Sequence, residues 1–264
     1  MKMNREEFFK FFKNQRYVEQ LKQIPQQFAV KHDNEKNVSE LTIYGIIGDS
    51  WWDECVSASD VDRALKEAGN NDIIVYLNSP GGDAFDGISI YNRLKRHTSK
   101  VTIHVDGWAC SAASVIAMAA DELIMGLGSM MMIHEASNVV WGTKTDMRKE
   151  ADVLEELEEG IIDIYMTKAN ISREEVRSMV DAETWFSAKK AVEFGFANKV
   201  EGDQMEDENN DDETIVNVAT RTFEEKQQIL NELKTVLDKE PSPTPSVEGN
   251  KGKGSFNMFK KWTN

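Results

Sequence analysis

Between about residues 38 and 200, short apolar runs alternate with stretches whose apolar residues recur at helical spacing. LTIYGII (41–47), IIVYLN (73–78), VTIHVDG (101–107), ELIMG (122–126) and SMMMIHEA (129–136) predict strands. VSASDVDRALKEAG (56–69), AFDGISIYNRLKRH (84–97), AASVIAMAA (112–120) and KTDMRKEADVLEELEEGIIDIYMTKA (144–169) predict helices. Asp60 and Ser172 stand before helix starts, and Gly69 marks a stop. Such alternation predicts an α/β domain over 38–202, with parallel strands and crossover helices. Residues 1–37 read as an N-terminal helical extension. In it Phe8, Phe11, Phe12 and Val18 predict one amphipathic helix over 4–23, packed on its own chain or on a neighbouring subunit. Glu6, Glu7 and Glu19 dilute its basic charge and argue against a membrane surface.

After Gly202 the pattern ends. Residues 203–213 hold seven acids in eleven positions, which predicts a solvated, flexible run. One short helix is expected at about 222–238, followed by a Pro/Ser/Gly linker over 240–255 and a basic, aromatic end. The 203–264 tail is thus expected to be a flexible extension.

Composition narrows the function. The 264 residues are 40% hydrophobic, enough for one buried domain of roughly 150–200 residues plus extensions. The net charge of −15 repels phosphate backbones, which argues against nucleic acid as a partner. Two cysteines, Cys55 and Cys110, fit a reducing compartment. No apolar run reaches the ~20 residues of a membrane span, and the N-terminus lacks the apolar region of a secretory signal. A cytoplasmic protein with no membrane partner is expected.

Three segments carry candidate chemistry. In GWACSAAS (107–114), Ser111 follows a strand and precedes a helix of small residues, a turn that leaves a serine exposed. By itself the segment favours an ordinary serine N-cap. Cys110 has no basic neighbour and reads as a structural thiol. NSPGGD (78–83) turns from strand to helix through glycines that let backbone N–H groups approach an oxyanion. His134 ends an apolar strand, where a neutral imidazole can relay a proton or simply sit satisfied in the core. His32, His97 and His104 lack an associated turn. Asp181 and Glu183 each offer a carboxylate to orient the histidine. There is no phosphate-loop motif and no His/Cys cluster, so no cofactor or metal is expected.

Taken in order, NSPGG, GWACSAAS, MMIHEAS and ETWFSAKKAVEFGFA resemble the signature of ClpP-family serine peptidases over roughly residues 40–200. The resemblance implies a ClpP/crotonase-like spiral of repeated ββα units with a long protruding helix. It implies Ser111 as nucleophile, His134 as base, and Gly81 and Ala112 as oxyanion donors through their N–H groups. Glu183 falls where the family carries its third member, usually aspartate, and Asp181 is the alternative. The family's stacked rings imply self-association. IYGIIGDSWWDECVSASDV, the ETW tripeptide and the acidic extension resemble the phage and prophage relatives. That likeness implies capsid or scaffold protein as substrate during head maturation in a bacterial host. The alternatives are a housekeeping-type proteolytic subunit working with an AAA+ unfoldase, and a protease–scaffold fusion acting mainly in assembly. The crotonases share the fold but need no Ser/His pair.

Overall fold

The computed structural model describes residues 5–48 and 55–202. In chain order the elements are α1 (Arg5–Phe8), α2 (Val18–Lys22), β1 (Gln27–Asp33), β2 (Val38–Ile47), α3 (Ala58–Ala68), β3 (Asp72–Gly82) and α4 (Ala84–Lys95). There follow β4 (Val101–Cys110), α5 (Ala112–Ala117), β5 (Glu122–Met125), β6 (Met130–Ile133), α6 (Lys144–Met166), α7 (Arg173–Asp181), β7 (Thr184–Ser187), α8 (Ala188–Glu193) and β8 (Lys199–Val200).

The sheet runs β1-β2-β3-β4-β5-β8 and is parallel from β2 onward, while β1 closes an antiparallel hairpin on β2. β4 serves two partners. Its first half, Thr102–Val105, pairs with β5, and its end, Trp108–Cys110, pairs with β6. β6 in turn pairs antiparallel with β7, placing Ile133 opposite Thr184. Splitting β4 in this way sets β6 and β7 off the main strand order. The parallel strands β3, β4 and β6 all end on one side, at Gly82, Cys110 and Ile133. Crevices beyond strand C-termini are where ligands bind in parallel α/β sheets.

Local chemistry accounts for the element boundaries. α3 is capped by Ser57, whose side chain accepts from the Asp60 N–H while the Asp60 carboxylate accepts from the Ser57 N–H. Asp60, expected just outside the helix, is therefore the third residue of the capping box. Ser172 and Glu175 form the same box on α7. The burial of α6 is confined to its C-terminal turns, at Ile161, Ile162 and Tyr165. Its N-terminal half exposes Met147 and Val153, so the long helix does project from the core.

Two expectations fail in the N-terminal region. The single helix over 4–23 is broken: Phe9–Phe11 and Gln15–Tyr17 are 3₁₀ turns, and Phe12 between them is extended (φ −70°, ψ 125°). The break frees the Lys13 and Asn14 N–H groups from helical bonding, and both are used elsewhere. The boundary at residue 38 also cuts through the β1–β2 hairpin, and the described residues on either side of it belong to one compact unit. Exposed Lys31 and His32 hide the strand period of β1 from a hydrophobicity reading. Phe8, Phe9, Phe12, Val18, Leu21 and Ile24 bury themselves with Ile46, Cys110 and Met132 in a second small core. At roughly 1.5–3 kcal/mol per fully buried apolar side chain, Phe9, Phe12 and Leu21 anchor this segment firmly. The expectations for the tail, residues 203–264, lie outside the described residues.

Candidate active site

Ser111 sits at the sharp corner between β4 and α5, with φ 53° and ψ −126°. A non-glycine residue there is strained by about 1–3 kcal/mol, and such strain persists only where the surroundings enforce it. The surroundings here are specific. The Ser111 N–H donates to the Met132 carbonyl at 2.9 Å, and the Ser111 carbonyl accepts from Ser114 Oγ at 2.6 Å. Ser114 Oγ in turn pairs with the buried Tyr165 hydroxyl at 2.7 Å, which ties the corner to α6. The Ser111 side chain makes no capping bond to α5. Its hydroxyl meets His134 Nε2 at 2.8 Å instead, which removes the simple N-cap reading.

His134 follows directly from β6, which delivers it beside Ser111 because β6 pairs with the end of β4. Burial holds its pKa below the ordinary histidine value; the carboxylates of Glu183 and Glu135 counteract and the Lys13 ammonium adds to the lowering. A neutral imidazole able to accept a proton is therefore favoured at neutral pH. The other described histidines have structural duties. His32 bonds Ser39 Oγ, His97 bonds the Asn71 carbonyl, and His104 packs on Tyr76. Cys110 is fully buried, and burial pushes its thiol well above the usual range, so it is no nucleophile.

The glycine turn needs one correction. A Cβ on Gly81 would lie 2.6 Å from the Cys110 carbonyl oxygen and from Ser111 Cβ, so only glycine lets β3 approach the serine this closely. Yet the Gly81 N–H donates to Ser79 Oγ at 3.0 Å, satisfying a fully buried hydroxyl. Gly82, not Gly81, lines the cleft together with Ser111 and Ala112. The buried Ser79 acceptor that occupies the Gly81 N–H is invisible in the sequence until β3 is paired on both sides.

The third member is also unlike its expectation. Glu183 is buried, at φ 52°, and its carboxylate accepts the Lys13 N–H at 2.5 Å, the Asn14 N–H at 2.7 Å and Trp185 Nε1–H at 3.2 Å. Asp181 is exposed and offers its carbonyl to Lys13 Nζ at 2.9 Å. Among the described residues no hydrogen bond joins either carboxylate to His134. Glu183 is the nearer in effect, since its charge acts on the imidazole.

Ser111 and His134 open onto a cleft of about 380 Å³ walled by Phe8, Phe12, Leu154 and Tyr165. A more open depression on α7, lined by Glu174, Met179 and Thr184, contains neither group of the pair. An apolar cleft beside a serine–histidine pair suits the side chain of an extended peptide.

Residues 63–204, more than half of the chain, match the family model described as Clp protease. The ATP-dependent Clp protease proteolytic subunit 1 of Protochlamydia amoebophila is 32% identical over 152 residues, covering 54% of this chain and 74% of that protein. Proteolytic subunit 3 of Rhodococcus jostii is 29% identical over 131 residues, 49% of this chain and 65% of that protein. Among solved structures, a ClpP1 mutant from Listeria monocytogenes superposes with a TM-score of 0.54 at 24% identity, covering 61% of this chain and 90% of that one, a likeness of fold.

Proposed function

Because the chain belongs to the Clp protease family and is a serine endopeptidase, we propose that Ser111 is its nucleophile and His134 its general base. The 2.8 Å contact between Ser111 Oγ and His134 Nε2 carries this reading. As Oγ bonds to the scissile carbonyl carbon, its proton passes to Nε2. The developing oxyanion meets the Ala112 N–H at the start of α5 and the N–H of Gly82 in the cleft wall. When the C–N bond breaks, the imidazolium returns the proton to the leaving amine. Water then attacks the ester, loses its proton to His134 and releases the acid, and the proton returns to Ser111. The Glu183 charge stabilises the imidazolium formed in both halves.

For the biological setting, the relatives' names favour a proteolytic subunit that works in an ATP-dependent Clp protease. Ring assembly and an AAA+ unfoldase partner go with that reading. The capsid-processing role expected from motif style finds no counterpart in those names. One experiment tests both levels. The purified protein should hydrolyse a short fluorogenic peptide without ATP and take a fluorophosphonate probe on Ser111. A folded substrate should be degraded only with an AAA+ unfoldase and ATP. Labelling at another residue overturns the nucleophile assignment, and ATP-independent trimming of a capsid protein would return the head-maturation reading.

A further inference from the structure

The N-terminal segment reaches the reacting groups through contacts that the proposed chemistry leaves unused. The Phe12 ring lies over His134, nearly parallel at 13°, with centroids 5.8 Å apart. Phe12 is itself held on every side. Phe9 stacks on it at 5.9 Å, Phe8 meets it edge-on at 5.5 Å, and Gln15 Nε2 donates to its carbonyl at 2.6 Å. The next two residues give their N–H groups to Glu183, and Lys13 Nζ bridges to Glu135 at 2.5 Å and to the Asp181 carbonyl.

His134, by contrast, is held by Ser111 at one nitrogen, and among the described residues no carboxylate bonds to the ring. In an ordinary triad the carboxylate fixes the plane of the imidazole and steadies its cationic form. Here the carboxylate in the triad position spends its oxygens on the backbone of residues 13 and 14. An aromatic face does both jobs by another route: it restricts ring rotation, and its π electrons attract a cation within about 6 Å.

We propose that Phe12 is a positioning residue for His134, and that Glu183 serves the reaction mainly by fixing the backbone that carries Phe12 rather than by hydrogen-bonding the imidazole. The inference rests on Ser111 and His134 being nucleophile and base. The charged groups acting on His134 are Glu183, Glu135 and Lys13, and none of the Phe12 variants below alters them directly.

The full-length chain is compared as wild type, Phe12→Leu, Phe12→Tyr, Glu183→Gln and the Phe12→Leu/Glu183→Gln double variant. kcat/KM on a fluorogenic peptide is followed against pH, alongside fluorophosphonate labelling of Ser111. Leucine keeps apolar bulk but no π face. Phe12→Leu should lower kcat/KM about three- to tenfold and move the acidic limb to lower pH, while Phe12→Tyr should recover both. The double variant should lose less than the product of the two single losses, because both act in part through the same contact. A wild-type pH profile in Phe12→Leu, equal behaviour of leucine and tyrosine, or losses that multiply in the double variant each overturn the proposal. A wild type that takes no label at Ser111 overturns the underlying reading, and this one with it.

Discussion

The carboxylate of Glu183 accepts the backbone N–H of Asn14 at 2.7 Å across 169 positions of sequence. That one bond brings the first described segment of the chain to the last loop before β7, with the Ser111–His134 pair beside it. The break in the predicted N-terminal helix has its reason here. A continuous helix would spend the Lys13 and Asn14 N–H groups on its own carbonyls, and the buried Glu183 carboxylate would lose two of its three donors. A buried acceptor left without its donors costs about 1–3 kcal/mol.

Removing the proposed nucleophile and removing its neighbour should give opposite results. Ser111→Ala should lower peptide hydrolysis by several orders of magnitude, as loss of a triad nucleophile does. Cys110→Ala removes only a buried thiol from the small N-terminal core. It should cost about 1 kcal/mol of stability and leave kcat within a few-fold. Steady-state kinetics beside urea unfolding separates the two.

The pH response follows from the lowered pKa of His134. The neutral ring is the active form, so kcat/KM should hold below the free-histidine value of about 6.5 before falling. Glu135→Gln removes a group that raises this pKa and should move the acidic limb down; Lys13→Ala removes one that lowers it and should move the limb up. The unfolded chain binds more protons than the folded one just below pH 6.5, so the contribution of a neutral, half-buried His134 is complete above that pH and is lost as pH falls. Urea midpoints at pH 7.5 and 5.5 should therefore drop further in the wild type than in His134→Asn.

Ser79→Ala tests the assignment within the glycine turn. The variant leaves the buried Gly81 N–H without its acceptor, which costs about 1–3 kcal/mol. Thermal unfolding should shift down while kcat stays within a few-fold, because the oxyanion donors proposed are Gly82 and Ala112. A large fall in kcat with unchanged stability would put Gly81 back in the oxyanion site.

Tyr165→Phe probes the support beneath the strained serine. It removes the hydroxyl paired with Ser114 Oγ, the atom that also holds the Ser111 carbonyl. A loss of about 0.5–1.5 kcal/mol is expected, with a several-fold fall in the rate of fluorophosphonate labelling. Unaltered labelling would mean that the corner holds its shape without α6.

The sequence by itself determined the α/β alternation, the projecting α6 and the pairing of Ser111 with His134. The first two rest on apolar period and turn chemistry, which survive without knowledge of what packs on them, whereas the pairing is what the resemblance of the ordered motifs implies. Tertiary structure decided the rest, wherever a polar group had to choose between partners distant in sequence. Both glycines at 81 and 82 look competent to hold an oxyanion until Ser79 becomes buried and takes the Gly81 N–H. Glu183 looks like a partner for His134 until the N-terminal segment offers two unpaired N–H groups and Trp185 a third. Phe12 reads as one apolar residue of a helix, and only the β4–β6 pairing places His134 under its ring. A buried donor or acceptor must be satisfied by whatever the fold brings within about 3 Å, and no periodicity in the chain records which group that is.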